Sequence, residues 1–134
     1  MASDPDRPDY TFGGHTLVAG GASTFRAVGV QADQMGQQNV MARYPFHMHI
    51  MRETGGARSC FIGNSVINSH FRAYTIHGTN SSLVRWNVAF RVVGHAFYFE
   101  DGVEQNNKVY FNLAAKIFVI GDAIAGAKQG GEKK

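Results

Sequence analysis

His47 and His49 stand two positions apart, so on a β-strand both side chains leave the same face. His77 precedes Gly78, and Glu100, Asp101 and Glu104 lie around Gly102. Two or three imidazoles with a carboxylate suit a divalent ion such as zinc, which makes His47, His49 and His77 metal-ligand candidates. The same groups also suit an acidic sugar. Arg43, His47, His49 and His95 would then bind its carboxylates and hydroxyls while a carboxyl group acts as acid. A third reading keeps these histidines as packed residues with satisfied hydrogen bonds.

The carboxylates offer several catalytic arrangements. Adjacent residues on a regular strand face opposite ways, so Glu100 and Asp101 form a hydrolase pair only if the chain bends near Gly102. Asp101 with Glu104 across that turn is the better-placed pair on spacing alone. Asp101 could instead cap the turn through its own backbone. For an elimination, His77 or Arg43 would serve as base. Trp86, Tyr98 and Tyr110 could stack on sugar rings, although aromatics on such a fold more often belong to the core. Asn80-Ser81-Ser82 is a short glycosylation sequon.

These groups are far apart in sequence, so a repeating scaffold must gather them. Short runs of β-branched and aromatic residues recur, each closed by Gly, Asn or Ser. Cys60–Val66, Leu83–Val88 and Val109–Leu113 superimpose on a shared Asn at 64, 87 and 112, spaced by 23 and 25 positions. A second series interleaves with them: Tyr74–Gly78, Phe97–Gly102 and Phe118–Gly121. Two strand series at one period predict a coil of 20-odd residues. An earlier, looser coil would combine Phe25–Gln31 with Tyr44–Ile50. Stacked coils bury a continuous apolar column, and stacked Asn side chains can bond from one coil to the next. A β-sandwich is the rival, but the Asn-Gly hairpin signal is absent. The fold class is therefore all-β: a right-handed parallel β-helix of about four coils over residues 11–124, flanked by flexible segments at 1–10 and 125–134. Four coils leave two open edges, which implies a piece of a longer solenoid, self-association or a stacking partner. In register, His49, His77 and Glu100 fall on successive rungs about 4.8 Å apart.

The bulk numbers exclude some functions. A chain of 134 residues with 44% hydrophobic and 17% charged residues is long enough for one modest core. A net charge of +3 without a clustered basic face argues against nucleic acid, while a polyanionic sugar is compatible with it. Cys60 is the single cysteine, so it has no partner for an internal disulfide. Residues 1–10 carry three Asp and no apolar run, unlike a signal peptide, and no stretch reaches the roughly 20 apolar residues of a membrane span.

Four ordered stretches carry a family resemblance. Met35-Gly36-Gln37 followed by Arg43-Tyr44-Pro45-Phe46-His47-Met48-His49 is similar to an "MGQ…GRYPxHxH" segment. His70, Arg72 and His77-Gly78 fall in a second stretch, and Asn87-Val88 in a third. Gly94-His95 through Phe97, Phe99-Glu100-Asp101-Gly102, Glu104, Asn107 and Asn112-Leu113 complete the series. Together they resemble the β-helix region of the G8-domain family, which includes hyaluronan-degrading proteins and fibrocystins. The resemblance implies a cell-surface or extracellular setting. It also implies a hyaluronan-like polysaccharide partner and a hyaluronidase-like glycosidase activity, with Asp101, Glu104, Glu100 and His77 as catalytic candidates. A non-catalytic fibrocystin-like ectodomain module and an assembly subunit are the alternatives.

Overall fold

The computed structural model describes residues 11–55 and 58–120. The segments 1–10 and 125–134, and the expected end of the domain at 124, lie outside the described residues.

Among the described residues twelve strands run in chain order: β1 (Leu17–Ala19), β2 (Arg26–Val28), β3 (Gln31–Asp33), β4 (Phe46–Glu53), β5 (Cys60–Ile62), β6 (Ser65–Ser69), β7 (Tyr74–Asn80), β8 (Leu83–Arg85), β9 (Val88–Val93), β10 (Phe97–Phe99), β11 (Lys108–Tyr110) and β12 (Leu113–Phe118). They form three parallel sheets: β1-β4-β7-β10, β2-β5-β8-β11 and β3-β6-β9-β12. Each coil contributes one strand to each sheet, so four three-sided coils stack into a parallel β-helix. Among the described residues no helix is long and apolar enough to cross a membrane.

Three strand series run along the stack where the sequence suggested two. The first run of the sequence reading bends at its Asn, so Cys60–Val66 supplies both β5 and the start of β6. The early coil follows the expected order. Phe25–Gln31 contributes β2, which stacks on β5, and Tyr44–Ile50 leads into β4, which stacks between β1 and β7. The missed strand was β1, only three residues long and half exposed, so it carries little apolar signal.

The corner between the second and third sheets explains the repeat. At the turn, Gly29, Gly63, Trp86 and Phe111 all take φ between 55° and 68°, the left-handed region. The next residue in three coils is Asn, and these amides form a ladder. Asn64 Nδ2 donates to Asn87 Oδ1 at 3.0 Å, and Asn87 Nδ2 donates to Asn112 Oδ1 at 3.0 Å. The second hydrogen of each Nδ2 goes to a carbonyl of the preceding coil: Ala27 for Asn64, Phe61 for Asn87 and Val84 for Asn112. Val30 N–H caps the first rung on Asn64 Oδ1. At the corner between the first and second sheets Ser82 donates its N–H and hydroxyl to Asn107 Oδ1, a second set of bonds between coils that the sequence did not announce.

Inside, equivalent residues stack in columns. Met48 lies beside Ile76, Phe61 beside Val84, and Val66 beside Ala89, all fully buried. Phe46, Tyr74 and Phe97 stack nearly face to face with centroids 5.5 and 5.1 Å apart. Burial of such side chains supplies about 1.5–3 kcal/mol each.

Candidate functional site

The histidines sit on the first sheet, at the facing centres of β4 and β7. His49 is the register partner of His77, and the Glu100 N–H to Ile76 carbonyl bond continues the ladder into the coil of β10. His49, His77 and Glu100 thus occupy successive rungs, as the spacing predicted. His47 joins from two positions earlier on the same strand face. β4 then bulges: one extra residue intervenes between His49 and Arg52, with Ile50 at φ 50° and Arg52 at φ 58°. The bulge ends the regular face just past the site. Gly78, at φ 50°, lies opposite, where an added Cβ would stand 3.4 Å from Ile50 Cα.

His47 is fully buried, His77 is 19% exposed and Glu100 14%. His47 Nε2 lies 3.4 Å from His49 Nδ1, which lies 3.0 Å from His77 Nδ1. Glu100 Oε2 lies 3.9 Å from His47 Nε2 and 3.6 Å from His77 Nδ1. On its outer side, His77 Nε2 meets Asp101 Oδ2 at 3.3 Å. His47 Nδ1 meets the Ala42 carbonyl at 3.2 Å, which places the proton of neutral His47 on Nδ1. Burial pushes the His47 pKa down to about 4, so the ring is neutral at physiological pH. Burial, then the neighbouring His77, also lowers that of His49.

The carboxylates sort differently from the sequence expectation. β10 ends at Phe99, so strict alternation lapses, and Glu100 and Asp101 approach the two nitrogens of one imidazole. Asp101 is therefore not the turn cap. Glu104 takes that part: its Oε1 accepts the N–H groups of Gly78 and Asp101. Burial raises the Glu104 pKa, but the N–H donors of Asp101, Gly78 and neighbouring turn residues outweigh it, and the net shift is downward.

Two substrate-binding candidates lie beside the cluster rather than in it. Exposed Arg43 contacts His15, its Nη1 lying 2.6 Å from His15 Nε2. His95 stacks on Tyr98, with centroids 4.6 Å apart, and accepts a hydrogen bond from Arg72 Nε. Arg72 itself was missed. It is fully buried, donates to Tyr44 Oη at 2.8 Å and lies 4.0 Å from the centre of the Tyr98 ring. The available signal was a lone cation, Arg72, in the Phe71–Ile76 stretch that becomes buried core. Of the other aromatics, Trp86 is 53% exposed beneath Arg85, and Tyr110 accepts from Arg85 Nη1, so both face outward. In the sequon, Asn80 Oδ1 accepts Gln105 N–H and Ser82 is buried, so the acceptor amide is tied into the coil.

A parallel β-helix with a histidine–carboxylate column on one sheet defines a solenoid class that carries its site on stacked strands. The chain belongs to the CEMIP β-helix family, matching it over residues 11–127. It is 48% identical over 123 residues to Communication mutant protein F of Dictyostelium discoideum, covering 91% of this chain and 11% of that protein. It is 48% identical over 124 residues to a G8 domain-containing protein of the same organism, covering 91% of this chain and 8% of that protein. It is 40% identical over 111 residues to the cell surface hyaluronidase CEMIP2 of Homo sapiens, covering 78% of this chain and 8% of that protein. The chain thus spans between 8% and 11% of the length of these relatives.

Proposed function

We propose that the first-sheet column binds and cleaves an anionic glycosaminoglycan-like polysaccharide of the hyaluronan type, at the cell surface or outside the cell. The observation that carries this reading is the convergence of Glu100 and Asp101 on His77. Glu100, its side chain 14% exposed and its Oε2 3.6 Å from His77 Nδ1, is the carboxyl group placed to act as acid. Asp101, 47% exposed, is the carboxylate at the rim of the site. The partly exposed His49 and His77 offer ring nitrogens to sugar hydroxyls and uronate oxygens. Membership of a family whose relatives include a cell surface hyaluronidase supports the substrate class.

Size reduction of fluorescent hyaluronan tests the reading. Glu100→Gln is expected to lower the rate at least 100-fold with the fold intact, the usual contribution of a general acid. Equal cleavage by Glu100→Gln and the parent chain would remove the acid assignment, and binding without cleavage would favour the non-catalytic module. Products with an unsaturated end would establish elimination, and saturated products hydrolysis.

A second reading, stacking on a partner, rests on the fourth coil of the described residues, where Phe111, Leu113, Ile117 and Val119 are exposed by 76%, 59%, 40% and 88%. Such a surface invites further coils or a second copy. Defined oligomers at low concentration support it, and a monomer throughout overturns self-association.

A further inference from the structure

The three imidazoles pose a problem that hydrogen bonding among them does not solve. A neutral imidazole carries one proton. The outer nitrogen of His47 meets the Ala42 carbonyl at 3.2 Å and that of His77 meets Asp101 Oδ2 at 3.3 Å, so both rings are held from outside. The inner atoms, His47 Nε2 and His77 Nδ1, both face His49 Nδ1. One proton on His49 Nδ1 can serve only one of them. Three ring nitrogens converge on one region, and Glu100 Oε2 stands beside them.

We propose that His47, His49 and His77 bind a divalent metal ion of the zinc type through three ring nitrogens, with the fourth corner left open beside Glu100. This inference goes beyond the carbohydrate reading and does not rest on it. Zinc with ligands at about 2.0–2.1 Å in a tetrahedron has ligand–ligand edges of about 3.3–3.4 Å. The site offers ligand edges of 3.4 Å between His47 and His49 and 3.0 Å between His49 and His77, and all three ligand nitrogens lie within 4.8 Å of one another. Glu100 Oε2, 3.6 Å from His77 Nδ1 and 3.9 Å from His47 Nε2, flanks the open corner. The outer contacts match what metal-bound histidines require, a carbonyl or carboxylate on the far nitrogen that fixes tautomer and orientation. Ala42 does this for His47 and Asp101 for His77. The scaffold is stiff, since β4 and β7 are central strands of the first sheet.

Asp101 stays on the solvent side as a positioning residue for His77.

The test uses the whole chain, stripped with chelator, incubated with Zn2+ or Co2+ and freed of excess. The expected content is one zinc per chain, with the intense visible bands of four-coordinate cobalt in the substituted protein. His49→Ala, chosen because that ring is partly exposed and makes no backbone bond through its side chain, is expected to lose the stoichiometric ion while its circular dichroism is unchanged. Asp101→Asn is expected to weaken zinc binding about 10-fold or more through His77. His15→Ala, away from the cluster, is expected to bind as the parent does. A parent chain that retains no zinc, a His49→Ala chain that retains one, or a weak octahedral cobalt spectrum would each overturn the proposal. Metal content is read without polymer, so its failure and a failure of hyaluronan cleavage are separate results.

Discussion

The amide column at Asn64, Asn87 and Asn112 and the imidazole column at His49 and His77 arise from the same geometry. Each places like side chains on successive coils, and each lies half or wholly inside the solenoid. They end in opposite states. A primary amide carries two donors and an acceptor, so every rung gives to the next and receives from the last, and the column closes on itself. A neutral imidazole carries one donor and one acceptor. Once the Ala42 carbonyl and the Asp101 carboxylate engage the outer nitrogens of His47 and His77, their inner nitrogens both face His49. Stacking makes a structural ladder from self-complementary groups and a ligand site from groups that are not.

The largest effect should come from breaking the amide column in its middle. Asn87→Ala strands the Asn64 backbone N–H, the Asn64 Nδ2 and the Phe61 carbonyl. At about 1–3 kcal/mol for each buried group left without a partner, less relaxation, the loss should be about 3–4 kcal/mol. Urea unfolding measures it, and a loss under about 1 kcal/mol would mean that the ladder does not hold the corner.

Acid should act on the other column by a similar amount. In the metal-free protein the unfolded chain protonates His47 near 6.5, whereas the folded chain resists until about 4. Stability should be level above pH 6.5, fall as pH drops through that window and level again below it, by on the order of 3 kcal/mol. His47→Gln should flatten the profile. An unchanged profile in that variant would place the acid sensitivity elsewhere.

His49→Ala sharpens the contrast by doing little. Its ring is partly exposed and its contacts are to His47 and His77, so metal-free stability should change by no more than about 1 kcal/mol. A loss as large as that of Asn87→Ala would make both columns structural. The smallest effect is expected at Phe111, 76% exposed with φ 55° at the corner where earlier coils use Gly29 and Gly63. Phe111→Gly relieves about 1–2 kcal/mol of left-handed strain against about 0.4–1 kcal/mol of added unfolded-state entropy. The net gain should be under about 1 kcal/mol, read as a small rise in Tm. A clear fall would show that the Phe111 ring contributes packing at that edge.

The repeat was legible because it is written in residue types. Asn recurs at 64, 87 and 112 since only an amide completes the ladder, and an apolar residue flanks each turn because each sheet faces one core. The third strand series was hidden, because a 3-residue strand such as β5 and the start of β6 read as one run until the corner bends them apart. The bonds at the corner between the first and second sheets were hidden too, since they join unlike residues, Ser82 and Asn107.

By itself the sequence determined the coil, the register that stacks His49, His77 and Glu100, and the shared face of His47 and His49, because period and alternation are local properties of the chain. Only the tertiary structure decided that Asp101 turns to His77 while Glu104 anchors the backbone, that Arg43 goes to His15, and that Arg72 is buried at Tyr44. Those outcomes depend on where a strand stops and which hydrogen-bond partners stand within reach. That information lies in the packing of one coil against another.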